Sequence, residues 1–176
     1  MMSVIYIMWM YVILFGMIGW MRGWAKELMV SFSVVTALAV NFLLEKYIPL
    51  MQSIPKNSNS LFWVRALIVV GLVYFGYQTV VSVQRLASKA NRERLVDSLF
   101  GGVMGGLNGY LIAGTLLFYL NEAAYQPFPN IISAPPPEIA NSVLTMMNYM
   151  PPRWLGEPII YFAVIVILIF IIVVYI

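Results

Sequence analysis

The sequence predicts an all-α membrane protein, built as a polytopic helix bundle with five transmembrane helices and one interfacial amphipathic helix. Its composition is the first observation behind this prediction. Of the 176 residues, 62% are hydrophobic and 10% are charged, whereas an ordinary soluble domain has roughly 25% charged residues. The second observation is that the apolar residues form five long runs separated by polar, basic or proline-rich segments. We therefore expect a single membrane domain over residues 1–176.

The first apolar run, residues 2–20, contains no charged residue. A cleavable signal peptide would carry a basic N-terminal region and a small-residue cleavage site, and this run has neither. It therefore predicts a retained first transmembrane helix. Three glycines at positions i, i+3 and i+7 give that helix one smooth face; they are Gly16, Gly19 and Gly23. The charged residues that follow predict a tight turn at the membrane interface.

Two further runs, residues 28–44 and 61–83, predict the second and third transmembrane helices. A polar loop with two prolines separates them, and the basic, helix-prone segment 84–96 follows the third. Beyond the fourth helix, residues 121–157 are polar and rich in proline, and within them residues 137–150 have the spacing of an amphipathic helix on the membrane surface. The final run, residues 158–176, is 19 residues without charge, or about 28 Å of helix, which is enough to cross the hydrocarbon core.

The fourth run, residues 97–120, is rich in glycine and begins at Asp97. At about 100° per residue, five of its glycines share one face; they are Gly101, Gly102, Gly105, Gly106 and Gly109. Asn108, an intramembrane polar residue, lies at the edge of that face. Small residues let helices approach closely in lipid, so we expect this glycine face to pack against that of the first helix. A pore or substrate path along the glycine face is the alternative.

The distribution of basic residues predicts the orientation of the bundle. Six of the ten Lys and Arg residues lie in the turn after the first span and in the segment after the third; they are Arg22, Lys26, Arg85, Lys89, Arg92 and Arg94. Cytoplasmic loops carry an excess of Lys and Arg. We therefore expect the N-terminus outside, both basic segments in the cytoplasm and the C-terminus inside.

This orientation places charges of the first and fourth spans at the same membrane edge. We expect an interfacial cluster of Arg22, Lys26 and Asp97, with Glu27 or Arg94 as outer members, because a half-buried carboxylate is costly unless it is paired. In the alternative, Asp97 caps its own helix and Arg22 reaches lipid phosphates.

No residue pattern indicates catalysis, a cofactor or a metal. The chain has no cysteine and no histidine, which excludes disulfides, thiolate metal sites and histidine-held haem. The glutamates are scattered, and no nucleophile–base pair has a suitable spacing. The twelve methionines lie mostly in apolar runs, where core packing is the expected role. We therefore predict a non-enzymatic protein without a cofactor and without nucleic acid as a partner.

Two segments resemble a known family. GWMRGWAKEL at residues 19–28 is similar to the G-x-x-R-G-x-x-[KR]-E-[AL] signature of the colicin V production protein (CvpA) family. DSLFGGVMGGLNG at residues 97–109 is similar to that family's D-R-x-L-G-x-x-x-G-x-x-[RN]-G segment. The resemblance covers about residues 1–150. Ser98 stands where the family usually has arginine, and Asn108 stands where arginine is common.

The resemblance implies a multi-pass protein of the bacterial inner membrane that serves colicin V production or secretion, or envelope homeostasis, through protein partners or self-association. Two alternatives remain open. The chain is an accessory structural subunit of a larger energy-transducing membrane complex, without a cofactor of its own, or it is a small channel or transporter. The last apolar run has no counterpart in shorter family members, and the resemblance implies nothing about it.

Overall fold

The computed structural model describes residues 4–78, 94–132 and 134–175. In this part of the chain every regular element is an α-helix. The helices are α1 (Val4–Arg22), α2 (Trp24–Tyr47), α3 (Pro49–Gln52), α4 (Asn59–Gln78), α5 (Arg94–Glu122), α6 (Pro137–Asn148), α7 (Pro151–Trp154) and α8 (Ile159–Tyr175).

Four of these helices, α1, α2, α4 and α5, are long and apolar enough to cross a membrane. The fifth apolar helix, α8, is shorter, with 17 residues, or about 25 Å. The predicted all-α membrane helix bundle is thus confirmed. The second helix begins at Trp24, earlier than the predicted residue 28. Most of the basic segment 84–96 lies outside the described residues.

Helix α5 is central to the bundle, because it packs along α1 and also contacts α2, α4 and α7. Helix α2 packs against α4 and α5 on one side and receives α8 on another. Fully buried aliphatic residues of α2 and α4 belong to one hydrophobic core, among them Val30, Val34 and Val69. The polar side chains described below lie at the two ends of this apolar core.

A single residue, Gly23, separates α1 from α2. Its φ of +86° lies in a region that L-residues with a side chain rarely adopt. Glycine therefore permits a turn too tight for other residues, and α2 starts at the next position. Because the turn is so short, Glu27 lies in the first turn of α2, whereas the sequence predicts it within the interfacial turn.

The predicted amphipathic segment forms α6. Its apolar face carries Val143 and Met147, which are 1% and 4% exposed. Met150, just beyond the helix, is equally buried and contacts Gly114 of α5. This face therefore packs into the hydrophobic core, and the segment covers one end of the bundle.

Candidate functional site

The glycine faces of α1 and α5 lie directly against each other. A Cβ atom added to Gly105 would overlap the carbonyl oxygen of Phe15 and lie 2.8 Å from the Cα of Gly19. A Cβ added to Gly19 would lie 2.7 Å from the Cα of Gly105. Gly101 and Gly109 are similarly close to the α1 backbone. Only glycine fits at these four positions without a shift of backbone.

Three other glycines of the predicted faces have more room, namely Gly16, Gly102 and Gly106. A Cβ on Gly16 would lie 3.5 Å from the nearest atom, one on Gly102 would meet the Trp20 ring at 3.2 Å, and one on Gly106 would find its nearest neighbour at 3.8 Å. The contact between α1 and α5 is therefore tight at some glycines and looser at others. Because α1 packs directly against α5 at the tight positions, the glycine face of α5 does not line an open path through a single chain.

Asn108 lies at the centre of a buried polar network between α5 and α2. Its Nδ2 donates to the backbone oxygen of Glu27 and to Glu27 Oε2, both at 2.8 Å. Its Oδ1 accepts a hydrogen bond of 2.6 Å from Ser31 Oγ. Asn108 and Glu27 are completely buried, and Ser31 is 8% exposed. These buried bonds fix the register between the two helices.

Arg22 supplies the counter-charge to Glu27 and extends the network to α4. Its Nη1 is 2.9 Å from Glu27 Oε1. Its guanidinium lies 4.2 Å above the Tyr77 ring and donates to the Tyr77 backbone oxygen at 3.3 Å. The network of Arg22, Glu27, Ser31 and Asn108, which we name the Glu27 network, thus joins α1, α2, α4 and α5.

The expected ion-pair cluster of Arg22, Lys26 and Asp97 is not what the structure shows. Asp97 Oδ1 accepts a 3.2 Å hydrogen bond from the backbone N–H of Trp24, so it caps the start of α2. It forms no salt bridge to Arg22 or Lys26 in the described residues. The reason is the turn at Gly23, which brings the free N–H groups of α2 to Asp97 and brings Glu27 to Arg22. The side chain of Arg94 lies outside the described residues.

A second polar cluster lies at the opposite end of the bundle and is centred on Arg65 of α4, which is 3% exposed. Its Nε and Nη2 bond to the two carboxylate oxygens of Glu45 at 2.6 and 2.5 Å. Its Nη1 lies 2.6 Å from Glu122 Oε2. The guanidinium also lies 4.8 Å above the ring of Tyr119. This Arg65 cluster joins α2, α4 and α5.

Asn41 lies one helical turn before Glu45 on α2 and forms hydrogen bonds to residues of the Arg65 cluster. Its Nδ2 donates to the backbone oxygen of Arg65 at 3.2 Å and lies 3.5 Å from the hydroxyl of Tyr119. Its own Oδ1 is buried and has no hydrogen-bond partner among the described residues. Asn41 thereby fixes both the backbone and an aromatic neighbour of the central arginine.

A cavity of about 310 Å³ opens beside the Arg65 cluster. Glu45, Arg65 and Glu122 form its inner wall, and Lys56 and Arg153 also line it. The rest of the wall is largely apolar, with Leu38, Phe42 and Phe118. Charged groups therefore converge on open space in this cavity.

The Arg65 cluster was not predicted from the sequence, although the sequence carries two signals for it. A charged residue inside an apolar span is costly and needs a partner, which applies to Arg65. The second signal is helical spacing, since Glu27, Ser31, Asn41 and Glu45 all fall within about 80° of one another on α2 at 100° per residue. These four residues mark the face of α2 that packs against α4 and α5.

The family resemblance of the two motifs is supported by comparison with known proteins. A family model described as "Colicin V production protein" matches residues 6–147. The chain belongs to this family. No curated protein and no solved structure matches it. The matched region includes the Glu27 network and the three ionic residues of the Arg65 cluster, whereas α7 and α8 lie beyond it.

Family membership and the apolar helices together make the chain a multi-pass membrane protein of the colicin V production family. The two family-like motifs, residues 19–28 and 97–109, meet at one junction in the fold. Gly19 and Gly23 of the first pack against glycines of the second, Glu27 bonds Asn108, and Asp97 caps the helix that begins in the first motif. The motif residues therefore form contacts between helices.

Proposed function

We propose that this protein is a non-enzymatic component of the bacterial inner membrane that serves colicin V production or secretion, or envelope homeostasis, by binding protein partners in the membrane. The observation that carries the proposal is the family match over residues 6–147. Two features of the described structure support it. The motif residues are bonded to neighbouring helices, and large apolar side chains remain exposed on the outside of the bundle, including Phe100 and Phe162.

The arrangement of polar groups fits a scaffold. Glu27 and Asn108 use their side-chain atoms for bonds between helices, and Arg65 uses all three of its guanidinium nitrogens in the same way. Bonds of this kind hold the bundle in one shape and leave its outer surface to face lipid and other membrane proteins.

Complementation combined with photo-crosslinking tests this proposal. A colicin V-producing bacterial strain that lacks its own family member is supplied with this chain, and toxin release is measured. Azidophenylalanine then replaces one exposed aromatic residue at a time, Tyr6, Phe100 or Phe162, which are 60–70% exposed. Phe62, which is 5% exposed, is the matched buried control.

We expect restored release and a protein adduct of defined mass from at least one exposed position, and none from Phe62. Failure to restore release, or restored release without a protein adduct at any exposed position, contradicts the proposal. Adducts with a fixed set of subunits of one large complex would favour an accessory-subunit role instead. Adducts with a second copy, together with ion flux in liposomes, would favour a channel.

A further inference from the structure

The cavity beside the Arg65 cluster is lined by more cationic side chains than carboxylates. Two carboxylates line it, from Glu45 and Glu122, and both are bonded to Arg65. Lys56 and Arg153 also line it, and neither forms a salt bridge within the described residues. The charged groups of the wall therefore sum to one positive charge, three cations against two carboxylates.

The other half of the wall is apolar, with Leu38, Phe42 and Phe118 contributed by α2 and α5. Pro152 and Leu155 close the cavity from the side of α7. Its volume of about 310 Å³ is at the lower end of the range for small-molecule sites, roughly 300–1,000 Å³. A cavity of this size accepts one small molecule with an apolar body.

We propose that this cavity binds a small amphipathic anion, a carboxylate or phosphate carried on an aliphatic or aromatic body. The anionic group would lie between Lys56 and Arg153, which form no salt bridge with any residue that the structure describes. The body would lie against the Phe42 and Phe118 wall. A cation is disfavoured, because the carboxylates that would receive it are already bonded to Arg65. The anion is either a soluble amphiphile or the head of an anionic lipid, since both present the same chemistry.

Three related probes separate the two requirements of the site. Phenyl phosphate has both an anionic group and an apolar body, inorganic phosphate has only the first, and phenol has only the second. The full chain is placed in nanodiscs of phosphatidylcholine, which is neutral overall, and saturable binding of each probe is measured by ligand-observed NMR. We expect phenyl phosphate to bind clearly more tightly than either of the other two.

Single substitutions then locate the site. Lys56→Gln and Arg153→Gln should each weaken phenyl phosphate binding roughly tenfold, the loss expected of one charge-assisted hydrogen bond. Lys26→Gln, at the opposite end of α2, removes the same charge and should leave binding unchanged. Lys56 and Arg153 are exposed, and thermal unfolding checks that each variant is folded. If one of the two variants does not fold, phenyl phosphate binding by the other variant tests the proposal.

Nanodiscs doped with phosphatidylglycerol distinguish the source of the ligand. Unchanged binding of phenyl phosphate in them supports a soluble amphiphile, and competitive loss of binding supports a lipid head group. The proposal is overturned if phenyl phosphate shows no saturable binding, or if inorganic phosphate or phenol binds as tightly. It is also overturned if Lys56→Gln and Arg153→Gln have no effect, or if Lys26→Gln weakens binding as much as they do.

Discussion

Glu27 shows how a charge is accommodated inside this bundle. An ionised carboxylate in a membrane-spanning helix is costly, and such residues are usually paired within the protein. Here the carboxylate is completely buried, yet one oxygen pairs with Arg22 and the other accepts from Asn108. The charge is therefore matched on both oxygens, and its main effect is to tie α1 and α5 to α2.

Removing the charge of Glu27 should destabilise the protein strongly. We expect Glu27→Gln to lower the free energy of unfolding in detergent by about 3–5 kcal/mol, because Arg22 is left without its buried counter-charge. The neighbouring Lys26→Gln, which breaks no ion pair among the described residues, should change it by less than about 0.5 kcal/mol. Equal effects of the two substitutions would show that the Arg22–Glu27 pair contributes little.

Asp97 should contribute as a cap and not as an ionic partner of Arg22. We expect Asp97→Ala to cost about 0.5–2 kcal/mol, the usual cost of losing an N-cap. In double-mutant cycles, Arg22→Gln should couple to Glu27→Gln by about 0.5–3 kcal/mol, and its coupling to Asp97→Asn should be clearly smaller. The cycles use denaturant unfolding of the purified protein. Stronger coupling to Asp97 than to Glu27 would restore the ionic cluster that the sequence predicts.

At the scale of helices, the tight contact between α1 and α5 depends on glycine. Gly105→Ala places a methyl group 2.8 Å from the Cα of Gly19, and such overpacking costs about 1–3 kcal/mol. Gly71 is the matched control, since an added Cβ there meets nothing within 4 Å and alanine is the better helix former. Thermal unfolding should show a lower midpoint for Gly105→Ala and no loss for Gly71→Ala. A normal midpoint for Gly105→Ala would mean that the helices can separate without cost.

The start of α8 is held to the end of α2 by an exposed ion pair. Glu157 pairs with Lys46 and accepts a hydrogen bond from Tyr161. These hydrogen bonds lower the pKa of the Glu157 carboxyl below its ordinary value. A carboxyl with a lowered pKa stabilises the folded state above the pKa of the unfolded chain, which is about 4.3 for glutamate, and that stabilisation is lost as the pH falls.

The stability difference between wild type and Glu157→Gln should therefore be present at neutral pH and should close below about pH 4. It should be small, because the pair is exposed to solvent. Glu138→Gln is the control, since Glu138 is exposed and forms no salt bridge in the described residues. Unfolding midpoints across this pH range provide the measurement. A gap that widens on acidification would contradict the assigned role of Glu157.

Sequence alone could predict the helices and one of their contacts. Hydropathy marks the apolar runs, and the glycine spacing of α1 and α5 predicts two smooth faces. The ionic partners were harder to predict, because Arg65 pairs with residues 20 and 57 positions away. That choice depends on which helices are neighbours, and the spacing along one helix does not give it. Likewise, the pairing of Arg22 with Glu27 follows from the turn at Gly23. The sequence predicts a tight turn here, but it does not show that the turn is a single residue and that Glu27 already belongs to α2.

At the scale of the whole molecule, the Glu27 network and the Arg65 cluster lie at opposite ends of the bundle. Glu27 and Glu45 are 18 residues apart on α2, or about 27 Å along the helix axis, close to the roughly 30 Å hydrocarbon thickness of a bilayer. The distribution of basic residues predicts that the Glu27 end faces the cytoplasm. The cavity beside Arg65 should then open on the outer side of the membrane.

Cysteine labelling of intact cells tests most directly the claim that the bundle crosses the membrane in this orientation. The cysteine-free chain receives one cysteine at a time. The positions are Asn57 or Asn130, in the loops expected outside, or Ser88, in the basic segment outside the described residues. We expect an impermeant maleimide to label the first two, and to label the third only after the cells are opened. Labelling of Ser88→Cys in intact cells, with protection of the other two, would contradict this orientation.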